Sequence, residues 1–506
     1  MKNQILGIVA AISITGMAAC QKNNAEFNQQ DLTNPVSIMP QPPSQWINFT
    51  GSTYYSSGFV GDVMPYYDGS TFHIYYLHDG DGNGSYHPIH AFESSDMVHY
   101  SYDGKMLAYG SDSAQDRALG TGSVIKIGST YYFYYTGHND LNWTNGKPVE
   151  GVMYATSTDL KTWTKKQGFD LVPSTGYDAN DFRDPFVYYD STANQYTMLV
   201  AARQNGKPVT ARYTTKDPST DNWAIQSPFY IADNAKYSMM ECPDFFHMGN
   251  YYYLVFSENY VNYTTHYRIA TSPNGPWTTP ANDVLDGAFF YAGKTATDGK
   301  NRYLFGWSYR KDGANDYGGK VWGGNLIVHQ LVQNSDGTLS TINPQTQAQL
   351  FTKTESLQPI DINNANGSNN DYTIQSNGTV HFGMINGQKK ITTTISGLTG
   401  SNDAGFVFGW ARAGSGDYYK VRLQSGVASI VKVQPPNEYP DASIPYKVSA
   451  NGDINLEVLI DNSSFVVNIN GNTSLTGRSY WLPNAQWGLY SNENNVTFKQ
   501  LNLFGY

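Results

Sequence analysis

SVIKIGSTYYFYYTG, residues 123–137, reads as two β-strands folded back on a short turn. Val124, Ile125 and Ile127 lead into Gly128-Ser129, and an unbroken aromatic run, Tyr131 to Tyr135, leads out. β-branched and aromatic residues suit a pleated, half-buried surface, and the glycine supplies the turn. The plan recurs as VMPYYDGSTFHIYYL (63–77), PFVYYDSTANQYTMLVA (185–201), DFFHMGNYYYLVFS (244–257) and FFYAGKTATDGKNRYLFGW (289–307). The turns fall at Asp68-Gly69-Ser70, Gly128-Ser129, Asp190-Ser191, Met248-Gly249-Asn250 and Ala292-Gly293. A third strand follows in most repeats and ends in a second signature: Glu93-Ser94-Ser95-Asp96 before Tyr100, Thr156-Ser157-Thr158-Asp159 before Trp163, Thr214-Thr215-Lys216-Asp217 before Trp223, and Thr271-Ser272-Pro273 before Trp277. Repeats of roughly sixty residues suit a four-stranded blade, and closing the blades into a ring protects their edges. The expected fold is all-β, a five-bladed β-propeller over residues 46–335.

Outward from the repeats the pattern changes. Residues 336–355 read as a polar linker, and residues 356–506 as a C-terminal β-sandwich built from alternating strands such as AGFVFGW, YYKVRL and SFVVNIN, punctuated by Asn-Gly turns. At the other end, Lys2 and the apolar run from Ile5 to Met17 read as a signal peptide over residues 1–20, and Met17-Ala18-Ala19-Cys20 resembles a bacterial lipobox. Lipidation of Cys20 would anchor the chain to the outer membrane, facing the exterior. Residues 21–45, rich in Asn, Gln and Pro, read as a flexible tether.

Composition narrows the partners. A formal net charge of −10 without a block of Lys or Arg excludes the basic face that a nucleic-acid binder needs. Neutral polar substrates are favoured, membrane contact is expected only through the lipid, and a monomer is expected. His78, His87 and His90 lack metal-ligand spacing, so neither metal nor cofactor is expected.

Residues just before the first strand of each blade point into one axial funnel. Asp62 lies six residues before Asp68, Asp184 six before Asp190, and Glu241 seven before Met248. Three blades therefore offer a carboxylate at nearly one register. Asp286 stands in a similar place before Ala292-Gly293, as a fourth candidate. Blade II offers Gly120, Thr121, Gly122 and Ser123 there, which leaves room for a sugar within reach of Ser123. Converging carboxylates suit glycoside hydrolysis, in which one group donates a proton and another attacks or activates water. Arg183 is placed to hold its neighbour Asp184 ionised and oriented. Trp143 and Trp322 are aromatic platforms for sugar rings. Buried Cys242 is read as a pocket wall, not a nucleophile.

These motifs resemble glycoside hydrolase family 32. Arg183-Asp184-Pro185 is similar to the family's Arg-Asp-Pro, Glu241-Cys242-Pro243 to its Glu-Cys motif, and Gly61-Asp62-Val63-Met64-Pro65 stands where the family has Asn-Asp-Pro-Asn-Gly, keeping only the Asp. His90-Ala91 with Asp96-Met97-Val98-His99-Tyr100, Trp322-Gly323-Gly324 after Gly306-Trp307, and Leu459 to Ser464 with Leu475-Thr476-Gly477-Arg478 extend the likeness over residues 46–506. The resemblance implies a retaining β-fructosidase: Asp62 the nucleophile, Glu241 the acid/base, and Asp184 the transition-state stabiliser on the 3- and 4-hydroxyls. The substrate it implies is a fructan (levan, or inulin and fructo-oligosaccharides), with endo-cleavage of β-2,6-linked levan suited to a surface lipoprotein. Competing readings are an inverting five-bladed arabinanase or xylosidase, a fructosyltransferase, and a non-catalytic glycan-binding lipoprotein.

Overall fold

Strands form where β-branched and aromatic side chains cover the pleated backbone, and they reverse where glycine accepts a left-handed conformation, as at Gly128 (φ 61°) and Gly249 (φ 58°). The computed structural model describes residues 36–506 apart from 50–51, 57, 81–85, 233–236, 260, 369 and 411–415. The signal peptide, Cys20 and the first part of the tether lie outside the described residues.

Among the described residues, five antiparallel sheets open with the strands Phe59–Tyr67, Ala118–Ile127, Tyr177–Asp190, Met240–Met248 and Phe290–Thr297. Each of these inner strands packs against the next, and the fifth packs against the first. The sheets thus close into a five-bladed propeller, blades I to V, with the inner strands lining the axis. A single pairing of Gly324 with Val60 joins blade V to blade I.

Three boundaries differ from the sequence reading. The turn of blade V lies at 298–301, between Phe290–Thr297 and Arg302–Lys311, and not at Ala292-Gly293. The linker is structured: Leu339–Ile342 pairs with Lys320–Gln333 to complete blade V, and Gln345–Leu350 is a short helix. Residues 36–44, counted with the tether, are packed down. Ile38 and Met39 are buried with residues of blades IV and V and of the C-terminal unit, and the Leu326 N–H donates to the Pro40 carbonyl (3.0 Å).

The C-terminal strands, from Lys353–Glu355 to Val496–Gly505, form a β-sandwich. Asp371–Met384 pairs with Val496–Gly505 near its start and with Gln486–Ser491 along its second half, and so links the two layers. Trp487, Phe406, Phe408 and Phe465 fill the space between.

The two units meet across buried polar groups. Arg478 donates to the Tyr309 carbonyl (2.8 Å), Ser463 Oγ (3.0 Å) and Ser308 Oγ (3.0 Å). Asp461 accepts from Ser37 Oγ (3.0 Å) and the Met39 N–H (3.3 Å). Both belong to the C-terminal motifs noted in the sequence: Arg478 seats the sandwich on blade V, and Asp461 holds the N-terminal segment 36–44.

Candidate active site

The inner strands share a distortion. Each breaks its pairing with the second strand of its blade at the same level: between Val60 and Val63, Gly120 and Gly122, Arg183 and Phe186, Glu241 and Asp244, and Tyr291 and Lys294. A β-bulge of this kind bends a strand and re-aims its side chains. In blades III, IV and V the first unpaired residue is left-handed without being glycine: Asp184 (φ 61°), Cys242 (φ 53°) and Ala292 (φ 55°). Each costs on the order of 1 kcal/mol, which the surrounding packing must offset.

The bulge refines the register argument. Glu241 is the last paired residue before its bulge, Asp184 the first unpaired one of its bulge and Asp62 the second of its own. The three acids occupy successive positions of one repeated feature, not one position.

They nonetheless meet. The Cys242 N–H donates to Asp184 Oδ2 (2.9 Å), and the Cys242 thiol lies 4.0 Å from Asp62 Oδ2. Glu241 precedes Cys242 directly, so one bulge touches both aspartates and carries the third acid. Asp62 also accepts from the Trp307 indole N–H (2.9 Å) and the Thr121 hydroxyl (2.8 Å). Glu241 Oε1 accepts from Arg183 (Nη2 2.8 Å, Nε 3.2 Å) and Asn259 Nδ2 (2.7 Å), and its other oxygen accepts from the Tyr291 hydroxyl. The Asp184 N–H is held by Thr136 Oγ1 (2.8 Å).

Crowding of acids sets the electrostatics. Burial pushes Asp62 up to about 6, with Glu241 adding to the rise, while Thr121, Trp307 and Lys294 favour its ionised form. Burial likewise raises Asp184 to about 7; Arg183 holds it down, and Glu241 and Asp62 push it up. Burial, then Asp184 and Asp62, raise the Cys242 thiol well above its usual range. A fully buried thiol kept protonated is a poor nucleophile.

Other expected site residues are placed as follows. Arg183 does not bond Asp184: its guanidinium spans Glu241, Glu150 (3.1 Å) and Asp181 (3.0 Å), because the bulge turns successive side chains apart. Ser123 is not available to a sugar, being buried and accepting the Val187 N–H (3.0 Å) as a tie between blades II and III. Trp322 lies against Trp307 (5.5 Å between centroids) and His87 (4.3 Å). It also covers Gly61, where a β-carbon would come within 1.9 Å of its ring. That contact explains why glycine stands in the first motif. Trp143, 67% exposed on the short helix Asp140–Asn145, projects from the blade II loop at the same mouth as the acids. Asp286 is no member of the cluster. It is fully buried and accepts from His329 Nε2 (2.8 Å) and from the Thr476 N–H (2.8 Å) and hydroxyl (2.5 Å). Its apparent register came from the misplaced blade V turn; measured from the true turn, the equivalent residue is Ala292.

Sequence reasoning missed Trp307, Tyr291, Asn259 and Glu150 as members of the site. Tyr291 had a usable signal: as the last paired residue before its bulge, it is the blade V counterpart of Glu241.

Comparison with known proteins agrees with this fold. The model of the glycosyl hydrolases family 32 N-terminal domain matches residues 61–341. The chain is 27% identical over 339 residues to the raffinose invertase of Escherichia coli, covering 63% of this chain and 66% of that enzyme. It is 24% identical over 484 residues to the levanbiose-producing levanase of Bacillus subtilis (strain 168), covering 87% and 86%. Among solved structures, fructan 1-exohydrolase IIa from Cichorium intybus superposes with a TM-score of 0.67 at 17% identity, covering 92% of this chain and 96% of that one. A match of the family model over more than half of the sequence, on a five-bladed propeller whose bulges bring the three acids together, places this chain in glycoside hydrolase family 32.

Proposed function

We propose that this protein is a retaining levanase that cuts β-2,6-linked fructan internally while anchored by lipid at Cys20 to the outer face of the outer membrane. The coarser statement follows from the family: the chain is a glycoside hydrolase acting on fructosides. The finer one is supported by the lipobox, which suits work on a polymer too large to import, and by the similarity to levanbiose-producing levanases. One observation carries the mechanism: a single bulge, Glu241-Cys242, holds an acid of its own and touches the other two.

In the first step an Asp62 oxygen attacks C2 of the fructosyl unit. The C2–O bond to the rest of the chain breaks, and the Glu241 carboxyl protonates the departing oxygen. Trp307 and Thr121 hold Asp62 in line for attack. Arg183, Asn259 and Tyr291 fix Glu241, so little reorganisation is needed as its charge changes. In the second step Glu241 takes a proton from water, the hydroxide oxygen bonds to C2, and the bond to Asp62 breaks. Asp184 is the partner of the ring hydroxyls, its carboxylate held by the Cys242 N–H of blade IV and its own N–H by Thr136 of blade II. Water completes the reaction in this reading; a sugar hydroxyl in its place would give transfer.

Digestion of levan, inulin and sucrose in parallel, with early products chromatographed, tests this. A ladder of oligosaccharides from levan alone is expected. Free fructose from every substrate would overturn the internal-cleavage reading, and no product from any of them would overturn the hydrolase itself.

A further inference from the structure

The inner strands run on past the bulge to the opposite mouth of the propeller. There a cavity of about 390 Å³ opens between blades III and IV, reached by blade V. Asp190, on its rim, is six residues from Asp184 along one strand, a distance of about 20 Å. Between the two mouths stands Lys294, buried, with its ammonium on the Pro243 carbonyl (3.0 Å) and 5.3 Å from the centre of the Phe186 ring.

The cavity is walled by ring faces. Phe245 stacks on Tyr252 (6.0 Å, interplanar 8°) and leans on Tyr188 (4.6 Å), and exposed His247 lies 4.5 Å from Tyr252. Its polar floor is Asp244, which accepts from the Thr295 N–H (2.5 Å) and hydroxyl (3.2 Å). Arg302 completes the floor. The guanidinium rests 4.2 Å over the Phe246 ring and makes one hydrogen bond among the described residues, to Thr295 Oγ1 (2.8 Å). A guanidinium carries five donors in a rigid fork, and Arg302, half-buried in the lining, can offer an occupant donors that Thr295 does not take. Asp244 and Asp190 make the lining acidic overall, which disfavours an anion. Ring faces beside a donor fork and a carboxylate suit a neutral polyhydroxylated ring, with C–H groups on the aromatics and hydroxyls on Arg302 and Asp190.

We propose that this cavity is a second carbohydrate site, which holds a stretch of the same fructan that the catalytic mouth cleaves. The inference rests on the fructan reading above. A polymer long enough to reach both mouths is held twice, and the second contact acts as an intramolecular one; a short oligosaccharide feels the catalytic mouth alone.

Retention on levan in affinity electrophoresis tests the site without turnover. Glu241→Gln serves as the parent, and His247→Ala, at an exposed position, and Arg302→Gln are added singly. Each is expected to weaken retention about fivefold, as loss of one stacking or hydrogen-bonding contact would. In the active enzyme the same changes are expected to raise KM for long levan by a similar factor, with kcat and KM on a short fructo-oligosaccharide unchanged. Unchanged retention in His247→Ala and Arg302→Gln would overturn the site. Equal retention of the parent by levan and by a non-fructan polymer such as dextran would overturn its assignment to fructan. Failure of the wild type to cleave any fructan would instead strike the proposed function, since retention is read on the inactive parent.

Discussion

The molecule buries acids in two places and treats them in opposite ways. At the propeller–sandwich junction Asp286 is alone among donors: His329, the Thr476 amide and hydroxyl, and its own neighbour's N–H (2.5 Å). At the bulges Asp62, Asp184 and Glu241 crowd together, and the described cation that bonds any of them, Arg183, is shared with Glu150 and Asp181. The first arrangement surrounds a carboxylate with donors and so fastens two domains. The second keeps like charges close, at a cost in stability, so that protons and electron pairs can move between them and a substrate. Burial alone therefore does not mark a functional acid; convergence of like charges does.

The largest expected effect breaks the catalytic side of this contrast. Glu241→Gln should lower kcat on a fructan by about 10³-fold or more, since it removes general acid and base together, and Asp62→Asn should do at least as much. Neither should lower the melting temperature. Asp184→Asn should raise it. Burial lifts Asp184 to about 7, above the 3.8 of an unfolded aspartate, so the protein is favoured while this group is protonated and loses that advantage as pH rises from about 4 through 7. The gain in Tm should be a few degrees at pH 8 and vanish near pH 4. A fall in Tm at pH 8 would contradict the account of crowding.

Asp286→Ala should show the reverse profile. It leaves His329 and Thr476 buried without their partner, a loss of about 1–3 kcal/mol for each group left unsatisfied. Calorimetry should find a much lower Tm, while kcat on a short fructoside, measured below the transition, stays within a factor of two or so of the wild type.

Asp184 and Glu241 were legible because each sits in a compact motif and a repeated register, and both signals are local in the chain. The partner of Arg183 was not, since a bulge decides which neighbour a side chain faces and a bulge leaves no mark in composition. Asp286 was misread for a definite reason. Ala292-Gly293 has turn composition, yet it is the bulge of blade V, with the turn Asp298–Gly299 beginning seven residues after Tyr291. The propeller was legible in its aromatic periodicity, but the docking of residues 36–44 was hidden by a polar context, with Ile38 and Met39 the small apolar signal inside it. Trp307 and Thr121 lie 245 and 59 residues from Asp62 in sequence, and closure of the ring brings the first to it and packing of neighbouring blades the second.

Thr121 gives the smallest and sharpest test, because it lies on the one blade among I to IV whose bulge carries no acid. Its hydroxyl donates to the same Asp62 oxygen that faces the Cys242 thiol, and a donor to a carboxylate favours the ionised form. In the proposed mechanism Asp62 attacks in its ionised form, and burial already lifts it to about 6, so activity should fall away on the acid side near that pH. Thr121→Val keeps the shape and removes the donor. The acid limb of kcat/KM should then move to higher pH, with a loss of about tenfold at pH 5 and little change at pH 8, as expected for one charge-assisted hydrogen bond. A uniform loss across the whole pH range would mean that Thr121 positions the sugar and leaves the nucleophile's proton alone. In that case the acid-free blade would belong to substrate binding and not to the electrostatics of the cluster.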